Sequence, residues 1–371
     1  MTGADVIVIG GGLVGSSIAW GIARQNKEVI LLDEGDVALR ASRGNFGLVW
    51  VQGKGLGCPE YAQWSLRSAD LWPEFASELR DQTDVDVGHE RPGGVLLNLS
   101  DKEQQENTRI LSQIRHEAGN KPYDYQMMDH QELRELVPGI GPDVVSGSYS
   151  PYDGHANPLF LLRSLHAGFK ARGGRYLAER KVSNIVSLDN GVRVETSAGS
   201  YQAEKVVIAA GLATRDLAAK VGITAPIKPL HGQIIVTERM SPKLPMPTNL
   251  ARQTREGVMM LGYTVDDFGF DTATRADRSR NVAHGALRAF PFLRDARVVR
   301  SWAALRIMTG DGFPIYDLSA SHPGVYVTTC HSGVTLAAIH AYDVARWVLG
   351  EDMPQDFSVF STRRFDVQEA V

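Results

Sequence analysis

The sequence predicts an α/β chain of two lobes, α+β when the lobes are taken together. One lobe is built on a parallel sheet, and a mainly antiparallel sheet lobe is inserted into it. Three observations carry this. Residues 5–34 read strand, glycine turn, helix, strand. Apolar runs of strand character recur in the middle and near the end of the chain, where they can return to the first sheet. The length, 371 residues, exceeds the roughly 250–300 at which a single hydrophobic core stops growing.

The first element decides the nature of the first lobe. In DVIVIGGGLVGSSIAWGIARQNKEVILLDE an apolar strand, Asp5 to Ile9, runs into Gly10, Gly12 and Gly15. Gly10 allows a sharp turn off the strand, Gly12 lets a pyrophosphate approach the backbone, and Gly15 lets the helix pack closely on the strand. The helix N-terminus then presents free N–H groups and a positive dipole end to phosphate. A second strand, Val29 to Leu32, ends at Asp33, about 20 residues on, where a carboxylate can accept from ribose hydroxyls. This is a Rossmann-like dinucleotide-binding unit, and by itself it leaves flavin and nicotinamide nucleotides equally open.

The rest of the chain follows in order. RASRGNFGLVWVQGKGLG, 40–57, is glycine-rich and suits a loop that wraps an extended ligand. Residues 60–82 and 101–118 read as helices with polar outer faces, with a strand at 93–99 between them. Residues 151–177 read as loop, amphipathic helix and strand. A hairpin spans 181–203 with its turn at Asp189-Asn190-Gly191. YQAEKVVIAAG, 201–211, carries a strand, Val206 to Ala209, that runs to Gly211. GQIIVTE, GVMMLGYT and RVVRSWAAL, within 226–305, suggest the antiparallel sheet. GVYVTT, 324–329, is a strand. Ser332 is placed as the N-cap of a helix whose apolar face runs Val334, Ala337, Ala338, Ala341, Val344, Ala345 and Val348 to a stop at Gly350. The nucleotide lobe is therefore assigned to 1–85, 145–225 and 306–371, and the inserted lobe to 86–144 and 226–305.

Composition narrows the function. Hydrophobic residues make up 43% and charged residues 22%, an ordinary balance for a water-exposed globular protein. A net charge of −4 argues against nucleic-acid binding. Cys58 and Cys330 form no metal-binding spacing and, with no basic leader before the first strand, fit a reducing cytoplasm. No apolar run approaches the roughly 18 residues of a transmembrane segment.

The pattern as a whole resembles the FAD-dependent D-amino-acid oxidase, glycine oxidase and sarcosine oxidase family over nearly its full length. GGGLVG with LLDEG matches the N-terminal FAD motif, and VVIAAG the second FAD strand. WAALRIMTGDGFPIY, 302–316, matches the substrate-arginine segment, and TTCHSGVTLAA, 328–338, the flavin loop and helix. ASRGNFGLVWVQGKG and TCHSGVTLAA are most similar to one subgroup, the catalytic β subunits of multi-subunit dehydrogenases for opines (octopine, nopaline) and D-hydroxyproline, with hydrogen cyanide synthase as a relative.

The resemblance implies noncovalent FAD, since the covalent-cysteine position is unmatched and the covalent-histidine pattern is absent after Ser42. It assigns FAD contacts to Gly10, Gly12, Leu13, Val14, Gly15, Asp33, Glu34, Arg40, Ser42, Asn45, Phe46, Gly47, Leu48, Val182, Ala210, Gly211, Arg306, Gly333, Val334 and Thr335. The amides of the last three would face the flavin pyrimidine, where a helix N-terminus favours the negative charge of the reduced ring. Arg306 falls where the family grips the substrate carboxylate, a task that suits a planar guanidinium; the alternative is an ion pair between the lobes. His331 would hold a carboxylate or tune the flavin, or else bond to backbone. Leu250 stands where relatives carry a carboxylate-binding tyrosine. Tyr263 is then a substitute candidate, while Gln253 and His231 are lesser ones. Met260 stands where sarcosine oxidase has its oxygen-activating lysine, which favours a dehydrogenase.

The implied reaction is hydride transfer from the Cα–H of an amino acid or N-substituted amino acid to flavin N5, followed by hydrolysis of the imine. No second glycine fingerprint is present, so electrons would leave to oxygen, a quinone or partner subunits that carry iron–sulfur clusters and sometimes FMN. Two other readings stay open: an FAD-carrying electron-transfer or assembly subunit with little activity alone, and a glycine- or sarcosine-type oxidase using oxygen.

Overall fold

A computed structural model describes residues 2–35, 40–262, 264–352 and 357–370. An eight-stranded sheet forms the first lobe. Its main path runs Ile315–Leu318, Val325–Thr329, Gly199–Ile208, Thr2–Ile9, Val29–Leu32 and Arg175–Leu177. The four inner pairings, from Val325–Thr329 to Arg175–Leu177, are parallel. The hairpin of Val182–Leu188 and Gly191–Thr196 pairs antiparallel onto Gly199–Ile208. Val29–Leu32 is buried at every residue, as expected of a parallel strand covered on both faces. The beginning, middle and end of the chain therefore meet in one sheet.

Helix Leu13–Ala23 covers this sheet and is buried at all but one of its residues. It has no polar face because the C-terminal helical segment packs on its other side. Gly21 makes that approach possible: a Cβ there would lie 1.9 Å from the Ala341 carbonyl oxygen. Helix Pro59–Thr83 begins with proline in its first turn, where a missing N–H costs nothing, and ends at Asp84 in the left-handed region, φ 54°. Its buried Trp64, Trp72 and Phe75 join it to the same core.

The second lobe contains a four-stranded antiparallel sheet, Ala251–Gln253, Val258–Leu261, Ile227–Arg239 and Val298–Thr309. A three-stranded sheet, Gly94–Asn98, Ser146–Ser150 and Gln126–Asp129, leans on it through Val95, whose N–H donates to the Pro247 carbonyl. Ser146–Ser150 thus pairs with strands of the inserted lobe, not with the nucleotide sheet in which a boundary at 145 would put it, and strand Val298–Thr309 keeps Arg306 in the inserted sheet, across the boundary expected at 306. Among the described residues no helix is long and apolar enough to cross a membrane.

One local expectation is corrected. Ser332 does not cap a helix: regular helix begins at Ala337, after a turn over 332–336. The Ser332 hydroxyl is instead taken by Lys54 and Tyr61 from the opposite wall. The helix also carries a π-turn, His340–Val344, before it stops at Gly350 with φ 95°.

The Gly21 contact makes a stability prediction. Gly21→Ala should cost about 1–3 kcal/mol, because the intruding methyl meets backbone that cannot rotate away. Denaturant unfolding measures it, and an unchanged midpoint would rule out this close approach.

Candidate active site

The glycine turn is tightly built. Gly10 has φ 111°, and a Cβ on it would meet the Ala209 carbonyl oxygen at 2.3 Å. A Cβ on Gly15 would lie 2.0 Å from the Gly10 carbonyl oxygen. The first helical closure is Ser16 N–H to Gly12 C=O, 2.8 Å, so the amides of Val14 and Gly15 lie ahead of it. Leu13 N–H is already capped by Ser42 Oγ at 2.9 Å. Asp33 accepts from Gly11 N–H at 2.7 Å and from Gly35 N–H at 3.0 Å, which aims the carboxylate back at the turn. Glu34 and Arg40 pair with each other at 2.8 Å. Val182 opens the hairpin strand, and Ala210 and Gly211 follow strand Gly199–Ile208 at the same sheet edge as Gly10.

Beyond the turn, the 44–56 loop forms one wall of a cavity of about 1050 Å³. Asn45 Oδ1 accepts from Gly47 N–H at 2.8 Å, closing a tight turn. The Phe46 carbonyl accepts from the guanidinium of Arg252, a cation buried beneath the loop. Leu48 pairs with His155. Gly44 packs against strand Val298–Thr309, its carbonyl accepting from Trp302 Nε1 at 3.2 Å. The facing wall is the 331–335 turn. Its first closure is Leu336 N–H to Ser332 C=O at 2.9 Å, so the amides of Gly333, Val334 and Thr335 precede any bond of the turn.

Arg306 projects from strand Val298–Thr309 into the same cavity. It passes over Gly232 of the neighbouring strand, where a Cβ would lie 2.8 Å from its Nε. One guanidinium nitrogen reaches the Thr264 carbonyl at 3.3 Å and the other reaches His331 Nε2 at 3.2 Å. Burial, with Arg306 and then Lys54 close by, pushes the His331 pKa down to about 3. His331 is therefore neutral at physiological pH and accepts the Arg306 N–H through Nε2, leaving its proton on Nδ1.

Other candidates land elsewhere. Tyr263 lies outside the described residues. Gln253 staples the 240–257 segment through the backbone of Lys243, Leu244, Ser241 and Gly257. His231 is fully buried and bonds the Ala273 carbonyl at 3.0 Å. Met260 is buried, with its sulfur facing Arg252 at 3.0 Å. Two cations that the sequence reading passed over matter here, Lys54 and Arg252. For Lys54 a signal existed: it is the one ammonium in a loop of glycines. For Arg252 none did, because a strand arginine reads as surface until the fold buries it.

Comparisons with known proteins agree with this architecture. The DAO family, described as FAD dependent oxidoreductase, matches residues 5–347. An opine oxidase subunit of Agrobacterium tumefaciens (strain Ach5) is 42% identical over 367 residues, covering 99% of each chain. The opine oxidase subunit of the same name from Rhizobium meliloti is 42% identical over 366 residues, again covering 99% of each. The crystal structure of glycine oxidase from Geobacillus kaustophilus superposes with a TM-score of 0.90 at 25% identity, covering 98% of this chain and 99% of that one.

The state of His331 can be tested directly. A pKa lowered to about 3 means the proton is already lost well below neutrality. Its ring resonances should therefore stay constant from pH 5 to pH 8 in an NMR titration assigned with His331→Gln; movement centred near pH 6.5 would contradict the burial.

Proposed function

This chain belongs to the DAO family of FAD-dependent oxidoreductases, and on that footing we propose that it oxidises the C–N bond of an amino acid or N-substituted amino acid, opine-like or of D configuration. The observation that carries the reading is Arg306, a guanidinium set over Gly232 in the wall of a cavity of about 1050 Å³, beside a neutral His331. The 42% identity to an opine oxidase subunit supports an opine-like substrate.

The residues fit FAD. The Gly10–Gly15 cradle would be filled by Cβ atoms, the amides of Val14 and Gly15 suit a pyrophosphate, and Asp33 stands at the end of the second strand for a ribose. The 44–48 loop and the amides of Gly333, Val334 and Thr335 would hold the ring. Glu34, Arg40, Val182, Ala210 and Gly211 complete the proposed nucleotide contacts. Bound FAD supplies the two-electron acceptor for a hydride.

The chain supplies position and charge. Arg306 takes the substrate carboxylate through its planar fork and so fixes the Cα–H. His331 accepts from Arg306 and steers the fork without adding a charge. The substrate amine enters neutral; its lone pair becomes the second bond of a protonated imine as the Cα–H leaves with its electrons. Water then adds to the protonated imine to give a 2-oxo compound and a protonated amine. No residue need act as a strong base.

Met260, at the position the sarcosine oxidases give to an oxygen-activating lysine, is buried against Arg252. That favours a dehydrogenase, with electrons passing to partner subunits that carry iron–sulfur clusters and sometimes FMN. Both cysteines are free and buried, which suits a reducing cytoplasm. A second reading, an FAD-carrying assembly subunit with little activity alone, is favoured by the relatives being named as subunits.

One experiment separates the two. The purified chain, mixed without oxygen with opines, D-amino acids, D-hydroxyproline and sarcosine, should lose its visible flavin absorbance with one substrate class. Retained colour with every substrate would favour the assembly reading, and absence of flavin after adding FAD would refute both. Arg306→Ala should keep FAD but reduce the bleaching rate by about a hundredfold or more; wild-type rates would remove Arg306 from its role.

A further inference from the structure

Lys54 is recessed in the wall of the cavity that Arg306 and His331 also line. Its Nζ donates to Ser332 Oγ at 2.7 Å and to Thr335 Oγ1 at 3.1 Å. Both acceptors are neutral hydroxyls, so neither offsets the charge. The ammonium has three N–H groups, and these two bonds leave one for another acceptor. The carboxylate that acts on it through space, Asp153, already accepts from the Val51 and Gln52 amides and from Gln52 Nε2. A recessed cation whose hydrogen bonds go only to hydroxyls, with the Tyr61 ring 6.0 Å from its Nζ, is costly, and burial pushes its pKa down to about 8.

The position gives that cost a use. Ser332 and Thr335, the two residues that Lys54 grips, flank Gly333 and Val334, and the amides of 333–335 precede the first bond of the turn. Val334, Thr335 and Lys54 line the cavity, so unspent backbone donors and one ammonium share a short arc of its wall. Such an arc matches an acceptor that becomes anionic, because preformed donors in a dry site need no reorganisation when the charge arrives.

We propose that Lys54 is the fixed positive charge for the N1–C2=O edge of bound FAD, acting with the amides of 333–335 to favour the reduced, anionic ring. This rests on the FAD-dependent reading above. Arg306 then serves the substrate while Lys54 serves the cofactor.

The test needs no substrate. Sulfite adds through its lone pair to N5 of oxidised flavin, and the added negative charge settles on N1–C2=O; loss of visible absorbance reports it. In the holoprotein, Lys54→Met should weaken sulfite binding by about tenfold or more and lower the flavin reduction potential. Lys54→Arg should stay close to wild type. Unchanged sulfite affinity and potential in Lys54→Met would overturn the proposal.

If Lys54→Met does not retain FAD, Lys54→Gln, which keeps a donor for the two hydroxyls, is read in the same way. Loss of FAD from Met, Gln and Arg variants alike would also overturn it, since the side chain would then act only by holding the loop. If the wild-type chain holds flavin that an amine substrate bleaches while Lys54→Met behaves normally, this inference alone fails. If the wild type holds no flavin, the broader reading fails first.

Discussion

The structure turns on a clasp between two segments about 285 residues apart in sequence. Thr335 Oγ1 accepts from Trp50 N–H at 3.1 Å and from Lys54 Nζ at 3.1 Å, and its hydroxyl proton points to the Leu48 carbonyl at 3.4 Å. Every hydrogen-bonding capacity of that hydroxyl is used. The Thr335 carbonyl is held as well, by Ser68 Oγ at 2.7 Å and Trp72 Nε1 at 3.1 Å from the long helix. The group is buried and fully partnered, which is when a polar network fixes geometry and does not merely tolerate it.

The clasp explains why a lobe assembled from three parts of the chain can carry one site. Strand Val325–Thr329 delivers the 331–335 turn beside Gly199–Ile208, and strand Thr2–Ile9 delivers the glycine turn on the other side. The 44–56 loop then closes over both. The inserted sheet adds Arg306 from outside, with Gly232 cleared beneath it. His331, from the first lobe, meets Arg306, from the second, and burial keeps the imidazole an acceptor. Each wall is fixed by its own sheet, so the cavity between them inherits that rigidity.

The parts of this arrangement that were legible in the sequence are those set by local pattern. Gly10 and Gly15 announce the turn because a Cβ at either would collide with backbone, and Gly12 because a Cβ there would crowd the Ser42 hydroxyl. The strands show as apolar runs because both faces are covered. Arg306 and the 331–335 segment were found through resemblance, not pattern. What was not legible depends on contacts across the fold. Ser332 looks like a helix cap until Lys54 and Tyr61 occupy its hydroxyl. Ser146–Ser150 has no local mark telling which sheet it joins. Arg252 becomes a buried pin for the Phe46 carbonyl only once strand Ala251–Gln253 is covered by the loop.

The central claim is that the proposed flavin end of the site is assembled by contact between the 48–54 loop and the 332–335 turn. The FAD dissociation constant of Thr335→Val tests it most directly. Valine keeps the shape but strands the Trp50 amide and removes one of the two hydroxyls that hold the Lys54 ammonium, so FAD binding should weaken by about tenfold or more while the circular dichroism spectrum is unchanged, and Thr335→Ser should restore it. Wild-type FAD affinity in Thr335→Val would contradict the account.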